Sequence, residues 1–201
     1  MFHAIWQGIL TGLVVATFVG PIFFAVINFG LQGNIKGAAY LAFGTFVSDI
    51  STVFLIYLIA KGIDRNSAML QIMYVVGGVV LIILGLQNII KAKVNDSLIE
   101  IDQKHLWKLF AKGFLINFTN PNVFFFLFGA VMVAVHTYSN RASLVLLHFT
   151  VALVVVFSTD FLKGYVASLL RKYAKDNILL YLSRLSGVVL IYFGVKLIFF
   201  H

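Results

Sequence analysis

Six apolar segments follow one another along this chain: Ile5–Leu31, Gly37–Ala60, Leu70–Ile90, Leu109–Val135, Leu144–Leu170 and Ile178–Phe200. Each exceeds the roughly 20 residues with which a helix crosses about 30 Å of hydrocarbon. Inside a bilayer every backbone donor and acceptor has to be satisfied by the protein itself, which restricts spanning elements to helices and closed barrels. The sequence therefore predicts an all-α membrane protein with six transmembrane helices. The longest polar interval runs only from Lys91 to Lys108, so a single transmembrane domain is expected over residues 1–201. The first segment reads as a span rather than a secretory leader, because it is too long and has no basic stretch before it.

Of the 201 residues, 61% are hydrophobic and 11% charged, far from the balance of a soluble domain. Without cysteine there is no disulfide, thiolate metal site or thiol nucleophile. His136, His148 and His201 are scattered, so neither a metal site nor another cofactor is expected. The net charge of +8 lies between apolar runs rather than on one soluble face, which argues for loop topology and against nucleic acid. Loops one, three and five with their flanks hold eleven lysines and arginines, and the opposite side holds four. Positive charge favours the cytoplasmic side, so both termini are expected outside.

Only two prolines occur, and each lies inside a long apolar run: Phe18-Val19-Gly20-Pro21 and Phe118-Thr119-Asn120-Pro121. Proline removes a backbone donor and clashes with the preceding turn, so the first and fourth helices must break there. A small repeat surrounds them. Gly78-Val79-Val80-Leu81-Ile82-Ile83-Leu84-Gly85 matches Gly187-Val188-Val189-Leu190-Ile191-Tyr192-Phe193-Gly194 at an offset of 109. Phe46-Val47-Ser48-Asp49 matches Phe157-Ser158-Thr159-Asp160 at 111, and the prolines match at 100. Repeat 1 is read as about 1–91, the linker as 92–107 and repeat 2 as about 108–201. Three spans per copy bring the second copy in from the opposite side, giving two inverted repeats of the kind found in secondary transporters. In the linker, Ser97-Leu98-Ile99-Glu100 has the pattern of a capping box opening a short interfacial helix, with a flexible tether as the alternative.

Gly20 before Pro21 and Asn120 before Pro121 fit a helix N-cap followed by proline at the first helical position. Each would start a half-helix within the bilayer, whose free N–H groups and positive end favour an anion such as a carboxylate. A plain proline kink that aids packing is the alternative. Asp49 lies near the middle of its span, where a carboxylate costs about 2.5–3.5 kcal/mol on insertion scales. A substrate ammonium or a coupling proton would account for it, as would a protonated acid bonded to a neighbouring helix. Asp160 has Lys163 three residues on, so a local ion pair competes with a functional acid. Asn117 and Asn120 flank the second break and suit zwitterion recognition, whereas Asn28 and Asn122 suit capping or interhelical bonding equally. The stripe Gly8, Gly12, Ala16, Gly20 reads as close helix packing.

Gly20-Pro21, Gly44-x-x-x-Ser48-Asp49, Gly113-Phe114-Leu115-Ile116-Asn117-Phe118-Thr119-Asn120-Pro121 and Arg184-Leu185-Ser186-Gly187 through Gly194 together resemble the LysE/RhtB amino-acid exporters over essentially the whole chain. Ile22 after Gly-Pro, Asn122 after Asn-Pro, Ser48 before the acid and Asp160 itself depart from that pattern. The resemblance implies a bacterial inner-membrane transporter, not an enzyme, that exports amino acids and is driven by a coupling proton or cation. It leaves room for a homodimer. The binding or coupling residues it points to are Gly20, Pro21, Asp49, Asn117, Asn120, Pro121 and Asp160. A divalent-cation exporter would instead need Asp49 and Asp160 facing each other, and a non-transporting membrane scaffold would leave the two acids unexplained.

Overall fold

A computed structural model describes residues 1–61, 68–90, 106–139, 141–169 and 176–199. Among these residues the chain is all-helical: α1 (Phe2–Ala16), α2 (Pro21–Leu31), α3 (Ile35–Lys61), α4 (Ala68–Ile90), α5 (Leu106–Phe118), α6 (Pro121–Thr137), α7 (Ala142–Leu169) and α8 (Asp176–Phe199). Helices α3 and α7 are each long and apolar enough to cross a membrane. The α1–α2 and α5–α6 pairs also qualify if each is taken as one bent span. Helices α4 and α8 are 23 and 24 residues long, apolar over Tyr74–Gln87 and Gly187–Phe199. The linker expected over 92–107, with its capping-box segment, lies outside the described residues, except that α5 already begins at Leu106.

Both prolines break the chain where the sequence places them. Helices α1 and α2 meet at 76°, and α5 and α6 at 64°. Each proline is exposed and opens the second helix of its pair, with an extended residue, Gly20 or Asn120, before it. A threonine lies just before each break: Thr17 Oγ1 donates to Val14 O at 2.7 Å and Thr119 Oγ1 to Leu115 O at 2.8 Å, each a second bond to a carbonyl that also accepts a backbone N–H. The turn after α2 is equally specific. Gly33 adopts φ 79°, a left-handed conformation that favours glycine, and Asn34 Oδ1 then accepts from Gly37 N at 2.8 Å to start α3.

Packing exchanges partners between the two halves. The broken pair α1–α2 lies on α7, the broken pair α5–α6 lies on α3, and α4 pairs with α8. Glycines set the close approaches. Gly8 and Gly12 leave room for the carbonyls of His148 and Ala152 on α7, and Gly113 for that of Leu41 on α3. Leu41 and Ala152 are 111 residues apart, the offset that also relates Asp49 to Asp160. The outer faces carry large apolar side chains such as Phe54, Leu58, Leu146, Leu162 and Leu169. A surface of this kind suits lipid rather than water. The chain is a multi-pass helical membrane protein.

Candidate functional site

On α3, Thr45, Ser48, Asp49 and Thr52 recur at the spacing of one helical face, and all four are buried. The opposite face, with Phe43, Ile50, Phe54 and Leu58, is exposed. Helix α3 is thus polar inside and apolar outside, the arrangement expected of an element surrounded by lipid with polar chemistry at its centre. Asp49 is 1% exposed and sits midway along the 27-residue helix. A buried carboxylate needs a donor, and Asn117 supplies it across the bundle: Asn117 Nδ2 donates to Asp49 Oδ1 at 2.7 Å. The same amide reaches Ser48 Oγ at 3.2 Å and Thr45 O at 3.5 Å. Asn117 is the next-to-last residue of α5, and the close approach of α5 to α3, with Gly113 on the Leu41 carbonyl and Gly44 on the Phe110 carbonyl, brings its side chain to the middle of α3.

The two breaks meet. A Cβ on Gly20 would stand 3.2 Å from Asn120 Nδ2, so the side chain of the second break lies against the bare backbone of the first. The helix starts differ in one respect. Asn120 caps α6 with its own side chain, Oδ1 accepting from Asn122 N at 3.1 Å. Helix α2 has no side-chain cap, which leaves its first-turn N–H groups open to another acceptor. A small cavity of about 40 Å³ lies between the breaks, lined by Gly20, Thr45, Asp49, Asn117, Asn120, Asp160 and Lys163 over an apolar wall that includes Phe18, Val123 and Val156.

Asp160 and Lys163 form an ion pair, Nζ to Oδ1 at 2.7 Å, on the inner face of α7. The Lys163 ammonium also lies over the Phe23 ring, 5.6 Å from its centroid, at the start of α2. A cation is therefore held between the second acid and the uncapped helix start. The cavity wall carries two carboxylates, one ammonium and two amide side chains, enough to meet both ends of a zwitterion.

Of the residues singled out from sequence, Gly20, Asp49, Asn117, Asn120 and Asp160 line one cavity. Pro21 and Pro121 do not line it; they are exposed and act by ending one helix and starting the next. Asn28 accepts from Gln32 Nε2 along the outside of α2, and the buried Asn122 Oδ1 has no hydrogen-bond partner. Ala16 is half-buried on α1, between the packing glycines and the cavity. Sequence reasoning weighed Lys163 only as a neutraliser of Asp160 and passed over Thr45. The spacing of Thr45, Ser48, Asp49 and Thr52 was the available signal for the latter. Nothing local announces Lys163, because the ring it meets belongs to another helix.

A family model described as LysE type translocator matches residues 13–200 of the chain. No curated protein and no solved structure matches it.

Proposed function

The chain belongs to the LysE type translocator family, and from that premise we propose that it exports amino acids or similar small zwitterions by ion-coupled alternating access. The observation that carries this reading is the convergence of two helix breaks, two acids, two amides and one ammonium on a single small cavity. The substrate ammonium pairs with Asp49, which Asn117 holds in place. The carboxylate faces the uncapped start of α2 and the Lys163 ammonium, where helix-end donors and positive charge act together. Asp49 or Asp160 takes the coupling proton when the site empties, since an unpaired carboxylate in the membrane interior is costly. Gly20 gives the substrate access to backbone, and Asn120 adds an amide beside it.

The architecture in this reading is six spans in two inverted three-helix repeats, in a bacterial inner membrane with both termini outside. The exchanged packing of α1–α2 on α7 and α5–α6 on α3 supports it, as does the mutual packing of α4 and α8. At about 40 Å³ the cavity clears the roughly 10–15 Å³ that a water requires but is too small for an amino acid. Loading an amino acid therefore requires the broken pairs to swing away from α3 and α7.

The test is transport by the purified protein in liposomes, with a panel of amino acids and an imposed proton gradient. Losing a charged hydrogen-bond partner worth about 1.5–3 kcal/mol should lower the rate of Asp49→Asn about tenfold or more. Equal transport by Asp49→Asn would refute the assignment. The shared cavity of Asp49 and Asp160 also bears on a divalent cation as cargo, but the Lys163 ammonium in the same wall opposes it. Including manganese and magnesium in the assay separates the two.

A further inference from the structure

A second and larger cavity, about 260 Å³, opens among the start of α1, the end of α6, the start of α7 and the end of α8. His3, Thr137 and Lys196 stand exposed at its rim, and Ala134 and His148 lie buried at its base. His148 is held from both sides: Thr11 Oγ1 lies 3.0 Å from Nε2 and Tyr138 Oη 3.0 Å from Nδ1. A neutral imidazole has one donor and one acceptor nitrogen, so one hydroxyl donates to it and the other accepts, and each keeps a free lone pair or proton for a further partner. Among the described residues the walls hold the Lys196 ammonium and no carboxylate, while Leu81, Ala130 and Phe193 give an apolar side. That combination suits a carboxylate joined to an apolar side chain. The volume is just under the about 300 Å³ at which pockets for larger ligands begin.

This cavity and the Asp49 cavity are stacked on the same helices. On α1, Thr11 lines the outer one and Val15 the inner; on α6, Phe126 lines the outer and Val123 the inner. Four residues of helix span about 6 Å, so one turn separates them. What stands in that turn is aromatic. Phe18, from the inner wall, meets Phe126, from the outer wall, edge to face at 5.0 Å, and Phe126 meets Phe193 in the same way at 5.1 Å. Phe18 and Phe126 are both buried.

We propose that the larger cavity is an outer station that binds the carboxylate of an amino acid with an apolar side chain, and that the Phe18–Phe126 pair is the barrier between it and the Asp49 cavity. The identity of the cargo rests on the transport reading above; the existence of the station does not rest on Asp49.

The chain has no cysteine, so single-cysteine variants of the full-length protein in liposomes report one position each. With rates normalised to a free thiol, Ala130→Cys should react about tenfold faster with an anionic sulfonatoethyl methanethiosulfonate than with its cationic trimethylammonium counterpart, a preference of roughly 1.4 kcal/mol. L-leucine should slow the reaction, and L-leucinamide, which lacks the carboxylate, should not. Thr137→Cys at the exposed rim gives the same comparison where a buried substitution upsets folding. Protection should persist in an Asp49→Asn background even though transport is slowed there. Val123→Cys should be slow, and Phe126→Ala should speed it about tenfold. Indifference to reagent charge and to L-leucine, or protection that vanishes with Asp49, overturns the outer station. An unreactive Val123→Cys in the Phe126→Ala background overturns the barrier. Undiminished transport by Asp49→Asn bears only on the inner site, so the two readings fail separately.

Discussion

Gly78 on α4 and Gly194 on α8 face each other so closely that a Cβ on either would stand 2.6 Å from the other's carbonyl oxygen. One contact further along the pair, a Cβ on Gly85 would stand 2.6 Å from the carbonyl of Gly187. The repeat equates Gly78 with Gly187 and Gly85 with Gly194, so it converts the first contact into the second. Two helices that share a motif and run antiparallel meet in this way. Gly78→Ala and Gly194→Ala should each destabilise by about 1–3 kcal/mol, the usual cost of overpacking. The adjacent Gly77 is a built-in control, since a Cβ there meets the flexible end of Leu197 at 3.4 Å and the Phe128 ring at 4.0 Å, both ordinary contacts. Gly77→Ala should be neutral or stabilising by up to about 1 kcal/mol, from helix propensity. Thermal unfolding in detergent distinguishes the two, and equal shifts at Gly77 and Gly78 would contradict the packing described.

The bond between Asn117 and Asp49 predicts strong coupling. Asn117→Leu leaves a buried carboxylate without its donor, at a cost of about 1–3 kcal/mol or more. Asp49→Leu leaves an amide unpaired at smaller cost. The double variant removes both needs, so its loss should fall short of the sum by about 0.5–3 kcal/mol, the range for residues in contact. Denaturation midpoints of the four proteins measure this. Strict additivity would mean that Asn117 does not hold Asp49.

Asp160 and Lys163 call for a similar comparison with a transport readout. Their side chains are 11% and 21% exposed, which reduces the benefit of the pair below that of a fully buried one. Removing one partner still leaves a partly buried charge, so Asp160→Asn and Lys163→Met should each destabilise by about 1–3 kcal/mol and the double variant by less. Transport should not follow stability. If Lys163 receives the substrate carboxylate, the double variant should recover its melting temperature while its KM stays raised about tenfold. Recovery of both would make the pair structural only.

Apolar run length, two prolines and a short repeat were enough to read the all-helical fold, the two breaks and five residues of the inner cavity. Asp49 was legible because a carboxylate amid apolar residues has no local explanation. Its partner Asn117 was legible only as a neighbour of the second proline, since the 68 residues separating it from Asp49 hide the contact. Lys163 looked like a local ion pair because its second neighbour, Phe23, comes from another helix. The outer cavity was unreadable for the same reason at larger scale. His148, Thr11 and Tyr138 sit in three separate elements, each reading as an ordinary residue in its own run, and only packing of α1 on α7 assembles them. Long-range packing among apolar surfaces is not encoded in any local pattern.

The junction of the breaks separates the roles of glycine and proline. Gly20 has φ −153° and ψ −171°, extended backbone open to any residue, so its requirement for glycine comes from space. A Cβ there would press on Asn120 Nδ2 at 3.2 Å, and a larger side chain would enter the cavity itself. Pro21 is exposed, occupies the first helical position, and lacks an N–H where none is needed. Pro21→Ala should therefore change stability by about 1 kcal/mol or less, through the freedom of the unfolded chain. It should keep most of its transport. Gly20→Leu should fold, because the extended backbone tolerates it, yet lose transport by filling the space the substrate must enter. Gly20→Ala should lie between, and pairing it with Asn120→Ser should recover melting temperature by withdrawing the amide it presses on. Liposome transport rates beside melting temperatures for the four variants decide it: if Pro21→Ala were as inactive as Gly20→Leu, the proline would do more than shape the break.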